Sequence, residues 1–125
     1  MSIKSRQRYR ERLSLTIDIL QEKFPIAFPR KPNPKVPLAI GTAKYLYKLI
    51  NKGEIDINHG MVNPAIKCWC TSLSYYAACL TQGAPRYGLN GEVIGEILDY
   101  QAQYAQERLI ESMQRIKAKT ENCLS

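Results

Sequence analysis

Five of the chain's seven prolines, Pro25, Pro29, Pro32, Pro34 and Pro37, fall within thirteen residues. Each fixes its own φ and removes a backbone N–H, so neither a helix nor a central strand can run through them. The chain is thereby divided into an arm before the prolines and a larger body after them, joined by a stiff, extended strap. Phe24, Ile26 and Phe28 are its expected anchors. Arg30, Lys31 and Lys35 ride on it at semi-fixed positions, where cations can meet a phosphate backbone without first ordering a floppy loop.

Before the strap, Leu13, Ile17, Leu20 and Phe24 recur at spacings of four, three and four, broadened by Leu15 and Ile19. That is one face of a helix over about 8–23, with residues 1–8 expected to fray. Arg6, Arg8, Arg10 and Arg12 stand at its N-terminal end, where cations oppose the helix dipole. After the strap, Thr42 to about Lys52 forms a second helix with an Ala43, Leu46, Tyr47 and Ile50 face and Gly53 as its left-handed close. Lys44, Lys48 and Lys52 make a stripe on the other side.

Asn63-Pro64 reads as an N-cap followed by a first helical residue. A third helix is expected from Pro64 through Ala65, Ile66, Lys67 and Trp69, with Trp69 in the core. The helix start at Asn63, Pro64 and Ala65 leaves backbone N–H groups free, Pro64 itself having none, and with Lys67 it would suit an anion. Thr71-Ser72 predicts a break before a fourth helix over Leu73–Leu80. Arg86–Leu89 and Glu92–Gly95 flank Asn90-Gly91, a hairpin signal. A fifth helix is expected from an Asp99 cap to about Lys119, with a stripe of Ala102, Ala105, Leu109, Met113 and Ile116, and Tyr100 and Tyr104 as packing residues. The class is α+β and helix-rich: about five helices with a small β-hairpin.

A chain of 125 residues suits one domain with a core of its own. The boundaries expected are a basic extension over 1–12, a domain over 13–119 and a tail over 120–125, the extension being either an ordered contact arm or a disordered one. The charge is divided unevenly: residues 1–52 hold twelve Lys/Arg against Glu11, Asp18 and Glu22, whereas 53–125 hold six basic and eight acidic residues. Such asymmetry suggests one polyanion-binding side.

No apolar run is long enough for a bilayer and the N-terminus leads into charge, so neither a span nor a signal peptide is expected. Cys68-Trp69-Cys70, Cys79 and Cys123 lack paired metal-ligand spacing, and His59 lies in a turn-like Asn58-His59-Gly60, so the thiols read as reduced packing residues with no metal and no cofactor. With no phosphate loop or nucleophile elbow, an enzyme is not expected.

Several strings taken together resemble one family. Phe24-Pro25, Pro37-Leu38-Ala39-Ile40-Gly41, Ser72-Leu73-Ser74-Tyr75, Gly83-Ala84-Pro85-Arg86-Tyr87-Gly88-Leu89-Asn90-Gly91 and Ala105-Gln106-Glu107-Arg108-Leu109 stand in the order found in the ProQ/FinO domain. The similarity spans about 13–119. It implies a bacterial, cytoplasmic RNA chaperone that binds intrinsic-terminator stem-loops with a single-stranded 3′ tail and acts in post-transcriptional regulation by small RNAs. Its implied partners are small RNAs and messenger 3′ ends. Residue by residue, it carries the pocket tyrosine onto Tyr75, the Gly-Ala-x-Arg arginine onto Arg86 and a basic position onto Lys67. Ala39 and Asn63 stand where basic residues are common.

With Tyr87 added as the aromatic beside Arg86, Tyr75, Arg86 and Tyr87 are expected to hold the RNA 3′ end, and the Asn63–Lys67 helix start the phosphates where tail meets stem. Arg30, Lys31, Lys35, Lys44 and Lys48 would follow the duplex, which is met through shape and phosphates rather than base edges. A monomer is expected, on the ground that no long apolar stripe is left unpaired. Two alternatives stand beside this reading: a helical DNA-binding domain using the Pro64 helix, and a protein-interaction module with only non-specific RNA affinity.

Overall fold

The computed structural model describes residues 2–124, without the side chains of 123 and 124. In chain order it has α1 (Ile3–Lys23), α2 (Thr42–Asn51), a 3-10 turn (His59–Met61), α3 (Val62–Cys70), α4 (Leu73–Ala78), β1 (Pro85–Tyr87), β2 (Val93–Glu96) and α5 (Asp99–Leu124). Five helices and one two-stranded antiparallel sheet make the helix-rich α+β architecture expected from the periodicities.

Helix α3 is the hub. It packs against α1, α2 and α4, and α4 in turn carries α5. Phe28, Leu20, Leu46, Ile97 and Val62 are the largest fully buried side chains, so the strap, three helices and the end of the hairpin all reach one core. The Phe28 ring meets Trp69 edge-on at 5.2 Å between centroids, a favoured aromatic geometry. Phe24 and Phe28 anchor the strap as expected, but Ala27 is buried in place of Ile26. Ile26 instead lies against the hairpin tip, where a Cβ on Gly91 would meet its side chain at 2.8 Å.

Local chemistry explains most boundaries. Gly53, at φ 74, closes α2, its N–H donating to Ile50 O while Glu54 N donates to Leu49 O. These two bonds are the Schellman pair that caps otherwise orphaned carbonyls. Ser72 caps α4 by accepting from Tyr75 N at 3.3 Å, which is why α3 and α4 are separate helices.

Three sequence expectations change. Residues 3–8 do not fray: Ser2 Oγ accepts from Ser5 N at 3.1 Å, and no Gly or Pro interrupts α1. Asn63 is not a cap. A 3-10 turn capped by Asn58, whose side chain accepts from Gly60 N at 2.8 Å, feeds straight into α3, placing Asn63 and Pro64 as its second and third residues. Pro64 fits there because the first four helical N–H groups lack intrahelical partners anyway. The third change concerns α5, which continues to Leu124 while only Ala102 and Ala105 of its stripe are buried. Ile110, Met113 and Ile116 are about half exposed, because α5 outruns α4, the element it rests on. An apolar stripe is therefore left uncovered, which removes the ground for expecting a monomer.

The hairpin also differs in detail: Gly88 N donates to Glu92 O at 2.8 Å, so the loop is Leu89, Asn90 and Gly91 rather than Asn90-Gly91 alone. Gly91 N donates to Gly88 O at 3.0 Å across Leu89 and Asn90, Gly91 has φ 85, and among the described residues no non-glycine has positive φ. A two-residue type I′ turn needs positive φ at both centres, so the loop is a turn closed by a left-handed glycine. Beside it, Tyr87 N donates to Pro37 O and Ala39 N to Tyr87 O, both at 2.8 Å, so the end of the strap forms a parallel rung on β1.

Candidate nucleic-acid interface

A cavity of about 420 Å³ opens between α4, the base of the hairpin and the first turns of α5, with Tyr75, Tyr76, Arg86, Tyr100, Gln101 and Tyr104 among its walls. Arg86 is only 9% exposed. Its Nη1 donates to Leu38 O at 2.8 Å and its Nη2 to Gln101 Oε1 at 3.0 Å. Its Nε has no partner, and no carboxylate pairs with it among the described residues. A buried cation held only by neutral oxygens lacks the counter-charge that normally offsets its desolvation. An anion entering the cavity would supply that counter-charge.

The three residues expected to share a pocket do not all do so. Tyr75 and Arg86 line the cavity and Tyr87 does not. Arg86 and Tyr87 are neighbours in β1, and successive strand residues face opposite sides, so a strand that sends one into the cavity sends the other away. Tyr75 is a wall rather than a contact platform. It is buried, and its hydroxyl accepts from Leu38 N at 3.0 Å. Burial above all, with the Cys70 thiol adding to it, pushes its phenol upward.

The aromatic faces open to solvent belong to residues that sequence reasoning assigned elsewhere. Tyr100 is 66% and Tyr104 57% exposed, so they do not pack as expected, and Tyr76 is half-buried beside them. Their spacing was the available signal, since residues i and i+4 on a helix share a face. Cations stand near. Arg108 lies 5.5 Å from the Tyr104 ring centroid. Arg108 and Arg115 oppose the rise that burial imposes on the Tyr76 phenol.

The basic residues of the strap and α2 do not form one row. Arg30 bonds to α1, pairing with Asp18 at 2.7 Å and donating to Gln21 Oε1 at 3.3 Å. Lys35 is engaged at the α3–α4 junction: its Nζ lies 4.0 Å over the Trp69 ring and donates to Ser72 Oγ at 2.7 Å. Burial lowers its ammonium pKa. Lys35 is thus a clamp between the strap and the core, not a free cation. Lys31, Lys44 and Lys48 are exposed. Lys31 is near enough to Lys35 to repel its charge, while Lys48 belongs to a different cavity beside α2.

At α3, Asn63 and Lys67 are exposed and Pro64 is half-buried, but Ala65 is fully buried. The free helix start has moved to Asn58 and His59, so the expected phosphate grip at Asn63, Pro64 and Ala65 is not formed as a helix N-terminus. A shallow groove of about 350 Å³ between α1 and α3 instead brings Arg10, Asp18, Gln21 and Cys68 together.

Cys68, Cys70 and Cys79 are free thiols, graded from exposed through half-buried to buried. Desolvation pushes Cys70 up to about 11 and also raises Cys79. At pH 8 both are held as thiols, and alkylation needs the thiolate. Iodoacetamide at pH 8 is therefore expected to modify Cys68 at least about tenfold faster than Cys70 or Cys79, as read by fragment-ion mass spectrometry. Equal rates would show that the cavity wall opens in solution.

Among the described residues, no helix is long and apolar enough to cross a membrane. The fold is similar to the solution structure of a ProQ homolog from Legionella pneumophila, at 28% identity and a TM-score of 0.64, covering 80% of this chain and 81% of that one. It also resembles the crystal structure of a FinO-like RNA chaperone from Neisseria meningitidis MC58, with a TM-score of 0.64, 18% identity and coverage of 89% and 84%. The sequence profile of the ProQ/FINO family matches residues 10–122. That match covers most of the chain, and this chain therefore belongs to the ProQ/FinO family.

Proposed function

We propose that this protein is an RNA-binding chaperone that takes the single-stranded 3′ end of a terminator-type stem-loop into the Arg86 cavity. It acts there as a binding module rather than a catalyst, in the cytoplasm, on small RNAs and messenger 3′ ends. The observation that carries the reading is Arg86 itself, a buried guanidinium without a carboxylate partner in a cavity rimmed by Tyr76, Tyr100 and Tyr104. A terminal phosphodiester supplies the missing negative charge, and bases stack on exposed rings at about 1–3 kcal/mol each. The family, and the neisserial relative described as an RNA chaperone, support the RNA-binding part of this reading.

The duplex part of the RNA would run past Lys67, Lys31 and the exposed arginines of α1. Phosphate contacts of this kind position the RNA and weaken with salt. A DNA-recognition role for α3 is disfavoured, because that helix is wedged between α1, α2 and α4 and its Trp69 lies beneath Lys35.

The test is a titration at fixed salt with one hairpin bearing a U-rich tail, no tail, or the same tail ending in a 3′-phosphate. The intact tail is expected to bind at least about tenfold tighter than no tail, the value of one or two stacked bases. The free 3′-hydroxyl end should be preferred over the 3′-phosphate, because the last phosphodiester already supplies the charge that Arg86 lacks and a further dianion beside it would be unpaired. Tyr100→Ala should erase part of the tail preference, whereas Lys31→Ala should weaken every RNA and reduce the salt slope by about one. Equal binding of all three RNAs would leave a basic surface without an end-specific pocket.

A further inference from the structure

A second and larger cavity, about 540 Å³, lies between the end of α1, one face of α2 and the hairpin tip, and shares no lining residue with the Arg86 cavity. Tyr45, Lys48, Leu49 and Lys52 reach it from α2, at i, i+3, i+4 and i+7, one helical face. Tyr45 is 48% exposed, and the Lys48 ammonium sits 5.6 Å from its ring centroid. Lys23 joins from α1. Among the described residues none of Lys23, Lys48 and Lys52 has a carboxylate within ion-pair distance.

The floor is apolar, with Phe24, Leu49 and Leu89, while Glu54, Glu92 and Asn90 add acceptors to the wall. A small inorganic anion would use only the lysines, leaving the ring and floor idle and the carboxylates opposed. An acidic peptide would meet the same two carboxylates with like charge. A nucleotide uses every part: its base covers the aromatic face and apolar floor, its amino edge meets the acceptors, and its phosphate meets the lysines. Aromatic platforms flanked by cations are how single strands are held without sequence reading.

We propose that this cavity seats a nucleotide of a second, single-stranded RNA segment whose binding does not depend on a 3′ end. The proposal rests on the reading of the chain as an RNA binder. One end of the hairpin then holds an RNA tail through Arg86 while the tip holds another strand. Two strands fixed on one small domain is the arrangement that pairing of one RNA with another requires.

The experiment follows the backbone amides of the full chain by NMR during titration with a single-stranded pentanucleotide ending in a 3′-phosphate. Amides of 44–52 and 88–93 are expected to shift and saturate, and Tyr45→Ala to weaken that binding about tenfold, the value of one lost base stack. Lys52→Ala should weaken it further in low salt. Both side chains are exposed, so the fold is not at stake. The Tyr45→Ala variant should still bind the tailed hairpin like the parent.

Shifts confined to the Arg86 cavity would overturn the proposal. So would equal shifts with inorganic phosphate alone, which would mean a bare anion site, or with a tetraglutamate peptide, which would mean a protein partner. If the hairpin binds and α2 stays silent, only this inference fails. If the hairpin does not bind at all, the RNA reading of the whole chain falls.

Discussion

Phe28→Ala is expected to destabilise the domain by about 3–5 kcal/mol, the usual cost of deleting a buried phenyl ring. Domains of this size are stable by only about 5–15 kcal/mol, so the loss is a large part of the whole. The side chain is fully buried, meets Trp69 edge-on, and is the strap's deepest contact with the core. Lys35, over the same indole, cannot fill the space, since its ammonium is already tied to Ser72. At about 3–6 °C per kcal/mol, calorimetry should show a Tm lower by roughly 10–25 °C. Ile40→Ala, at a site 71% exposed, is the matched control and should stay within about 0.5 kcal/mol. A Phe28→Ala protein melting within about 3 °C of the parent would mean that the strap is not part of the cooperative core.

Arg86→Met should have the second largest effect, and the only one that joins stability to binding. Methionine keeps most of the buried stem but removes every donor. Leu38 O and Gln101 Oε1 then lose their cationic partner, at a cost of about 3 kcal/mol. Tail-bearing hairpin RNA should lose at least about tenfold in affinity, because a charge-assisted phosphate contact goes with the guanidinium. Tailless hairpin RNA should change far less. Arg86→Lys should recover part of the binding without the two-pronged grip on Leu38 and Gln101, since a lysine is a point charge rather than a planar fork. Binding is measured at a temperature where circular dichroism shows the variant folded. Equal loss for tailed and tailless RNA would place the 3′ end elsewhere.

These two residues illustrate what was legible. The helices, the proline strap and the hairpin could be read from spacing, because local periodicity and turn chemistry report burial and backbone geometry directly. Phe24, Phe28, Leu46 and Trp69 entered the core as their patterns required. Boundaries were less legible. Asn63-Pro64 carries the chemistry of a helix start, yet Asn58 competes for the same role a turn earlier and wins. Ser2 was easy to miss as a cap because fraying is the usual fate of a terminus.

The site was legible only in outline. Arg86 was identified from a motif, but the partners of its guanidinium come from α5 and the strap, 15 and 48 residues away. Tyr87 illustrates the difference in another way: once β1 exists, its facing away from Arg86 follows from strand geometry alone, yet which of the two turns inward depends on Leu38 and Gln101.

By itself, then, the sequence determined where backbone could and could not be regular, which faces were apolar, and that the first half was strongly basic. The tertiary structure decided what those charges do. It tied Arg30 to Asp18, sank Lys35 against Trp69, left Arg86 buried without a carboxylate among the described residues, and gathered Tyr45 with the α2 lysines beside the hairpin tip. The reason is physical. Periodicity encodes interactions between near neighbours, whereas the energy of a charge is set by burial and by partners that only the folded chain brings within reach.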